Sequence, residues 1–411
     1  MIRFLRLRGR RLEGVDVLTF VIGFAIGAGI LGLPVKFGVS GAGFIPSATM
    51  LVVALIFQVI TALYIVEGIK VCGSREFPAI VSRCLGKAAA GVSYVFIALY
   101  LVGAMTAYVV FGGVALHTLT RSALPVWAGM IAYWVAGVAI TVGGSRAIAR
   151  AEEAMVAGIM ILLLINILLC LTTPYVRLSN LTWGNWGDVL SVFGVVLFAY
   201  AIHAAIPTAY RSFGGGGRYP RLLTLGLSIS AAIYIAWSAA YMSILTPSDY
   251  TRTFVGALTH EVHHGIAGMP APVAVAELGK LREAAYVGYA FGFLTTLTSF
   301  IAAAHALTQI SCDVAGRNGS RSVKAFLAAS TAPALALALL RLGSFTQWLN
   351  FAGAVGAAVF TGIIPSVMAI RLRVRRPEGF RPLVPGGIPV AVVTLGFYVA
   401  GMAWYLMHAS I

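Results

Sequence analysis

Residues 23–34, GFAIGAGILGLP, place three glycines (Gly27, Gly29, Gly32) and Pro34 inside a long apolar run. A glycine in a helix interior costs about 1 kcal/mol relative to alanine. A proline lacks the amide that the helical ladder needs. The spacing Gly27-x-Gly29-x-x-Gly32 is that of a dinucleotide fingerprint, which requires a preceding strand, a βαβ unit and an acidic residue about 20 positions on. The sequence offers none of these; an apolar span continues instead. Glycines also let membrane helices pack closely. Their clustering at mid-span, followed by Pro34, points further, to a helix broken halfway.

A second run has a similar defect at similar depth. In SVFGVVLFAYAIHAAIPTAYR (191–211), Tyr200, His203 and Pro207 interrupt an apolar stretch near its middle. Pro207 is expected to release the carbonyl of residue 203 from its helical bond. His203 is an ionisable group at bilayer depth, where such groups are rare and functional.

Composition sets the class in which these runs belong. The 411 residues are 60% hydrophobic and 10% charged, whereas a soluble domain carries about 25% charged residues. Continuous apolar stretches, each long enough to cross about 30 Å of hydrocarbon, exclude a transmembrane β-barrel with its alternating segments. The fold class read here is an all-α polytopic membrane protein. It has eleven spans, near 16–38, 43–69, 89–117, 122–143, 153–173, 188–211, 221–246, 284–311, 323–342, 344–370 and 387–408.

The basic balance is a topology signal. With the N-terminus in the cytoplasm, 22 of the 29 Lys and Arg fall in cytoplasmic segments, six fall outside and Lys36 lies within a span. That asymmetry is the positive-inside rule, with basic residues lying beside anionic lipid rather than forming a nucleic-acid patch. It predicts a multi-pass protein of the cell membrane, N-terminus cytoplasmic and C-terminus outside. Residues 1–15 read as a retained basic tail. Cys72, Cys84, Cys170 and Cys312 show no metal or disulfide spacing and read as apolar fillers.

The broken spans are the first and the sixth, five crossings apart, so the second set of five enters the membrane from the opposite side. The chain therefore divides into a five-helix repeat (16–175), an inverted repeat (188–370, with a long external connection at 247–283) and an added eleventh helix (387–411). Broken helices at matching positions of inverted halves mark the substrate site of a secondary transporter. Freed amides at a half-helix N-terminus suit a carboxylate; freed carbonyls suit a cation or ammonium.

Three stretches carry a resemblance. IGAGILGLP (26–34) resembles the first-span signature of the amino acid/auxin permease and hydroxy/aromatic amino acid permease families. FAYAIHAAIP (198–207) and TTLTSFIAAAHAL (295–307) resemble their sixth and eighth spans. These families belong to the amino acid–polyamine–organocation group with the five-plus-five, LeuT-type fold. The resemblance implies ion-coupled uptake of an L-amino acid. The carboxylate would meet amides near Ala28, Gly29 and Ile30, with Gly27 beside them in the substrate site. The ammonium would meet carbonyls near Ile26 and across Ala199, Tyr200, Ala201 and Ile202. Tyr200, His203, Met105 and Thr106 would line the side-chain pocket, and spans 1, 2, 6 and 7 would rock against the remainder. It also implies a short helical cap in the 247–283 connection. Lys36 departs from the family pattern: it either snorkels to the interface or acts on an anionic substrate.

Thr295, Thr298 and Ser299 share one helix face. With first-span carbonyls such as those of Gly23 and Ile26 they could form an oxygen cage for Na⁺. Hydroxyls at such positions also bond back to their own helix. The competing coupling ion is H⁺, with His203, His305 and Glu67 as carriers, Glu67 being placed at the interface near Lys70. HEVHH (260–264) matches H-E-x-x-H, so a membrane zinc metallopeptidase with His260 and His264 as ligands, Glu261 as base and His263 beside them is the alternative. Its apolar helical context is missing, and Gly265, Gly268 and Pro270 follow at once. GGGG (214–217) lacks the G-K-[ST] of a phosphate loop and reads as a hinge. The expectation is a transporter and not an enzyme, with an amino acid and the lipid bilayer as partners. No nucleic acid, obligatory protein partner, cofactor or resident metal is expected.

Overall fold

The computed structural model describes residues 14–73, 76–213, 217–250, 253–255, 262–264, 269–280, 282–317 and 319–408. The first apolar run forms two helices, α1 (Gly14–Ala25) and α2 (Gly29–Val39), bent by 46° across the glycine cluster. Pro34 lies within α2 rather than at the break. Then come α3 (Phe44–Cys72), the short α4 (Phe77–Leu85), α5 (Lys87–Leu119), α6 (Val126–Val142) and α7 (Gly144–Thr172). The second broken run comprises α8 (Phe193–Tyr200), an irregular pair Ala201–Ile202, a 3₁₀ turn His203–Ala205 and α9 (Ile206–Ser212). α10 (Tyr219–Ile244) leads to the external connection.

Among the described residues nine helices are long and apolar enough to cross a bilayer, ten if the bent α1–α2 pair counts as one span. α6, which covers the expected span 122–143, is a shorter apolar helix of 17 residues. Ile161, Leu164 and Leu168 on α7 are all more than half exposed. Their spacing of three and four forms one outward apolar stripe, suited to lipid tails.

The connection at 247–283 is not purely helical. After a 3₁₀ turn (Pro247–Tyr250), β1 (Thr253–Val255) pairs antiparallel with β2 (Val262–His264), before the short α11 (Ala271–Glu277). The β-branched Thr253, Val255 and Val262 favour extended backbone. Asp249 clamps this region: its carboxylate accepts from the Lys280 ammonium and from the Thr246 amide and hydroxyl, both at 2.7 Å. Burial alone would raise the Asp249 pKa, but these donors outweigh it and hold the carboxyl below its ordinary value. A carboxyl depressed in the folded state stabilises above its unfolded pKa and loses that contribution as pH falls through the folded value. Protease cleavage within 247–283 is therefore expected to rise below about pH 4, with Asp249→Asn cleaved at all pH values alike.

α12 (Arg282–Ala315) and α13 (Ser320–Leu339) complete one packing group with α5, α6 and α7, while α1, α2, α3, α8 and α10 form another. The tenth apolar run joins them. It starts as α14 (Phe345–Phe351), winds as a π-helix over Ala352–Ile363 and ends as α15 (Ile364–Arg375), before α16 (Gly387–His408). The π-helical stretch packs on both α5 and α8. A side chain at Gly353 would run into the Gly194 carbonyl, so the glycine is required by close approach. Asn350 Oδ1 accepts from the Val195 amide at 3.1 Å and pins α14 to α8. π-helical turns are rare and gather at functional sites.

Glu67, near the C-terminal end of α3, is enclosed by protein rather than open to solvent. Its side chain is fully buried and forms a two-pronged ion pair with Arg373 of α15, at 2.8 and 3.1 Å. The backbone amides of Leu383 and Val384 donate to the same carboxylate.

Candidate functional site

The two chain interruptions face each other. At the first, Gly27 N–H turns to Ala25 O at 2.7 Å instead of completing a helical bond to Gly23 O. The amides of Ala28 and Gly29 find no backbone acceptor among the described residues, while Ile30 N–H and Leu31 N–H begin α2 by bonding Gly27 O and Ala28 O. The N-terminus of α2 thus presents free donors inside the protein, with Ala28 and Ile30 fully buried. Such an end carries a partial positive charge.

At the second, Ala201 N–H reaches Phe198 O and Ile202 N–H reaches Tyr200 O. Pro207 does not cause this break. It occupies the first turn of α9, where a missing amide costs nothing. The His203 carbonyl, expected to be freed, accepts from the Ile206 amide. The carbonyl left to other partners lies one turn earlier, at Ala199.

Gly29 and Ala199 bring the breaks into contact: a Cβ on Gly29 would lie 2.8 Å from Ala199 Cα and 3.2 Å from Phe198 Cδ1. Between them reaches a residue that the sequence reading passed over. The Tyr234 hydroxyl, from α10, donates to Ala199 O at 2.7 Å and lies in hydrogen-bond contact with Ala25 O. A signal was present: Ser230, Tyr234, Trp237, Ser238 and Tyr241 form a stripe of polar-tipped side chains at helical spacing along α10.

The expected site residues divide by where their side chains point. Ile26, Ala28, Gly29, Ile30, Ala199, Ala201 and Ile202 supply buried backbone at the breaks, and Gly27 is partly buried. The Tyr200 ring stacks edge-on to Tyr234 at 5.4 Å, but its hydroxyl donates to Leu51 O of α3 at 3.2 Å. His203 is fully buried and turned to α3, with Nε2 2.9 Å from Thr61 Oγ1, which lies 3.3 Å from the Tyr398 hydroxyl. Met105 and Thr106 are fully buried on α5, and the Thr106 hydroxyl donates to Val102 O in its own helix. Beside Gly29 the wall is aromatic. Phe198 sits 5.3 Å from the Tyr100 ring and 6.4 Å from the Tyr108 ring, and Tyr100 lies 5.1 Å from Phe360 of the π-helix.

Of the expected ion ligands, Ser299 faces the first break: a Cβ on Gly27 would lie 2.9 Å from its Oγ. The Ser299 and Thr298 hydroxyls both donate to Thr295 O at 2.9 Å, within their own helix. The buried Thr295 hydroxyl has no hydrogen-bond partner among the described residues. Gly23 is exposed on α1, and Ile26 is buried. Lys36 is half-buried on the face of α2 that carries Gly29 and Gly32.

In HEVHH, His260 and Glu261 lie outside the described residues. Val262–His264 is a strand, so the shared helical face that H-E-x-x-H needs is not formed there. Among the described residues no cluster of three or more His, Cys, Asp or Glu is placed to hold a metal ion.

A family model described as the tryptophan/tyrosine permease family matches residues 14–405. No curated protein matches the chain.

Proposed function

The chain belongs to the tryptophan/tyrosine permease family, and from that premise we propose that it is an ion-coupled symporter. Its cargo is an aromatic L-amino acid, moved by alternating access through a midplane site between its two broken helices. The observation that carries this reading is the meeting of Gly29 with Ala199. It sets the unbonded amides of Ala28 and Gly29 within one buried locus with the Ala25 and Ala199 carbonyls. A carboxylate at the α2 N-terminus and an ammonium at the carbonyls use both charges of a zwitterion. Tyr100, Tyr108 and Phe198 line the neighbouring wall, where edge-to-face contacts reward an indole or phenol. Ten spans in two inverted five-helix repeats, with an added eleventh, supply the architecture, with the α1–α2, α3, α8–α9 and α10 group rocking against the α5 group. The N-terminus is cytoplasmic, as the basic loops require.

Sodium is the coupling ion in this reading. A hydroxyl that donates its hydrogen to Thr295 O keeps its lone pairs for a cation, and Ser299 turns its oxygen to the broken first span. The Gly23 carbonyl, robbed of its helical amide, suits the same ion.

The test is a thermal-shift screen of purified protein against the twenty amino acids, with and without sodium, followed by uptake into vesicles. A ligand at 100 times its Kd stabilises by about 2.7 kcal/mol. Tryptophan, tyrosine or phenylalanine should raise the melting point, and sodium should enhance the rise. A shift with aliphatic or charged amino acids alone would overturn the substrate class. Ser299→Ala is expected to weaken sodium stimulation by about tenfold, the size of one lost charge-assisted ligand. Aromatic uptake that is unchanged when choline replaces sodium rules out sodium coupling.

A further inference from the structure

We propose that the Tyr234 hydroxyl stands in for the substrate's ammonium in the empty carrier, holding the Ala25 and Ala199 carbonyls and so joining the two helix breaks until cargo arrives. The inference rests on the site reading above and adds a residue and a step to it.

The argument is one of counting donors. A phenol has one hydrogen, yet the Tyr234 hydroxyl contacts two carbonyls, one from each broken helix. It can donate to only one at a time. An ammonium carries three donors and satisfies both together. Ala25 O keeps the Gly27 amide whatever the phenol does, so the preference is set at Ala199 O, which takes a cation over the phenol and the phenol over nothing, since an unmet buried acceptor is costly. The ring cannot swing away to water: it is fully buried and held edge-on by Tyr200, itself anchored through its hydroxyl to Leu51 O. Tyr234 is thus poised to yield to cargo over a small displacement and to return when cargo leaves.

A kinetic consequence separates this role from ordinary binding. Net uptake requires the empty carrier to reorient, whereas exchange of internal for external substrate cycles only the loaded form. Without the phenol, the empty carrier loses the hydrogen-bonded link between its breaks and keeps only the packing of Gly29 on Ala199, while the loaded carrier still has the ammonium.

The experiment is Tyr234→Phe in vesicles at equal sodium on both sides, with radiolabelled tryptophan and tyrosine as probes. Net uptake into substrate-free vesicles is expected to fall by about tenfold or more. Exchange against saturating internal substrate should stay within about twofold of wild type, with no rise in its half-saturation concentration. Tyr241→Phe, which removes a hydroxyl from the same helix that donates to Asn166 Oδ1 and touches neither break, should leave the ratio of the two rates unchanged. Melting temperature and vesicle content confirm that the variants are folded. Net uptake and exchange falling in parallel, or neither changing, overturns the assignment of Tyr234 alone. Wild-type vesicles that exchange no aromatic amino acid overturn the functional reading and this inference with it.

Discussion

Alanine at Gly29 is expected to abolish transport at micromolar substrate. The added methyl would sit 2.8 Å from Ala199 Cα, 3.1 Å from its Cβ and 3.2 Å from Phe198 Cδ1. The first of these is backbone and cannot rotate aside, so α2 and α8 must separate. The effect is spatial and not conformational, since Gly29 does not adopt a left-handed backbone. Inserting a methyl into a packed site costs about 1–3 kcal/mol, and every 1.4 kcal/mol is about tenfold in affinity. Separation also pulls the α2 amides from the Ala199 carbonyl, so binding of tryptophan should weaken by about 10- to 100-fold. Adding Ala199→Gly removes the Cβ clash but leaves the Cα, and should restore part of the loss. Gly396→Ala on α16 is the control for uptake in general: nothing lies within 4 Å of its would-be side chain. A Gly29→Ala carrier with wild-type affinity in a thermal-shift titration would show that the two breaks do not form the site.

The same glycine marks how far the sequence could be read. The first break was visible because glycines weaken a helix where nothing else would, and 26–28 is where α1 and α2 part. The second was found in the right run for an incomplete reason. Pro207 draws the eye, but it starts α9, and the chain opens ahead of it at Ala201–Ile202. Tyr200 and His203 are the polar groups nearest that break in the sequence, yet the Tyr200 hydroxyl and His203 Nε2 both bond to α3. A nearly continuous apolar helix carries little facial contrast, so periodicity cannot say which way a side chain turns. That is also why Tyr234, on a helix with no break, escaped notice. The π-helix at Ala352–Ile363 left no sequence signal beyond glycines, which close packing explains equally well. Pairings across hundreds of residues, such as Glu67 with Arg373, are set by tertiary packing alone.

That pair should give the largest loss of stability in the molecule. Arg373 donates to both oxygens of Glu67, to Ala369 O at 3.2 Å and to Val384 O at 3.1 Å, and its guanidinium lies 5.0 Å from the Tyr64 ring centroid. The Leu383 and Val384 amides donate to Glu67 at 2.7 and 3.1 Å, so one carboxylate joins α3, α15 and the segment before α16. Removing one partner of a buried ion pair costs about 3–5 kcal/mol, because the other charge is left uncompensated. The two truncations should not be equal. Arg373→Ala leaves Glu67 two amides, whereas Glu67→Ala strands a guanidinium and orphans those amides together. Glu67→Ala should therefore melt lowest, Arg373→Ala next and Glu67→Gln, which keeps an acceptor for the amides, highest of the three. The double replacement Glu67→Leu with Arg373→Met removes both charges and should recover much of the loss, as buried pairs replaced by apolar residues often do. If Glu67→Ala melts within about 1 °C of wild type, less than the shift expected for even 1 kcal/mol, the pair does not hold these elements together. If instead all variants melt low and the double variant lowest, the losses add, and the charges act independently rather than as a pair.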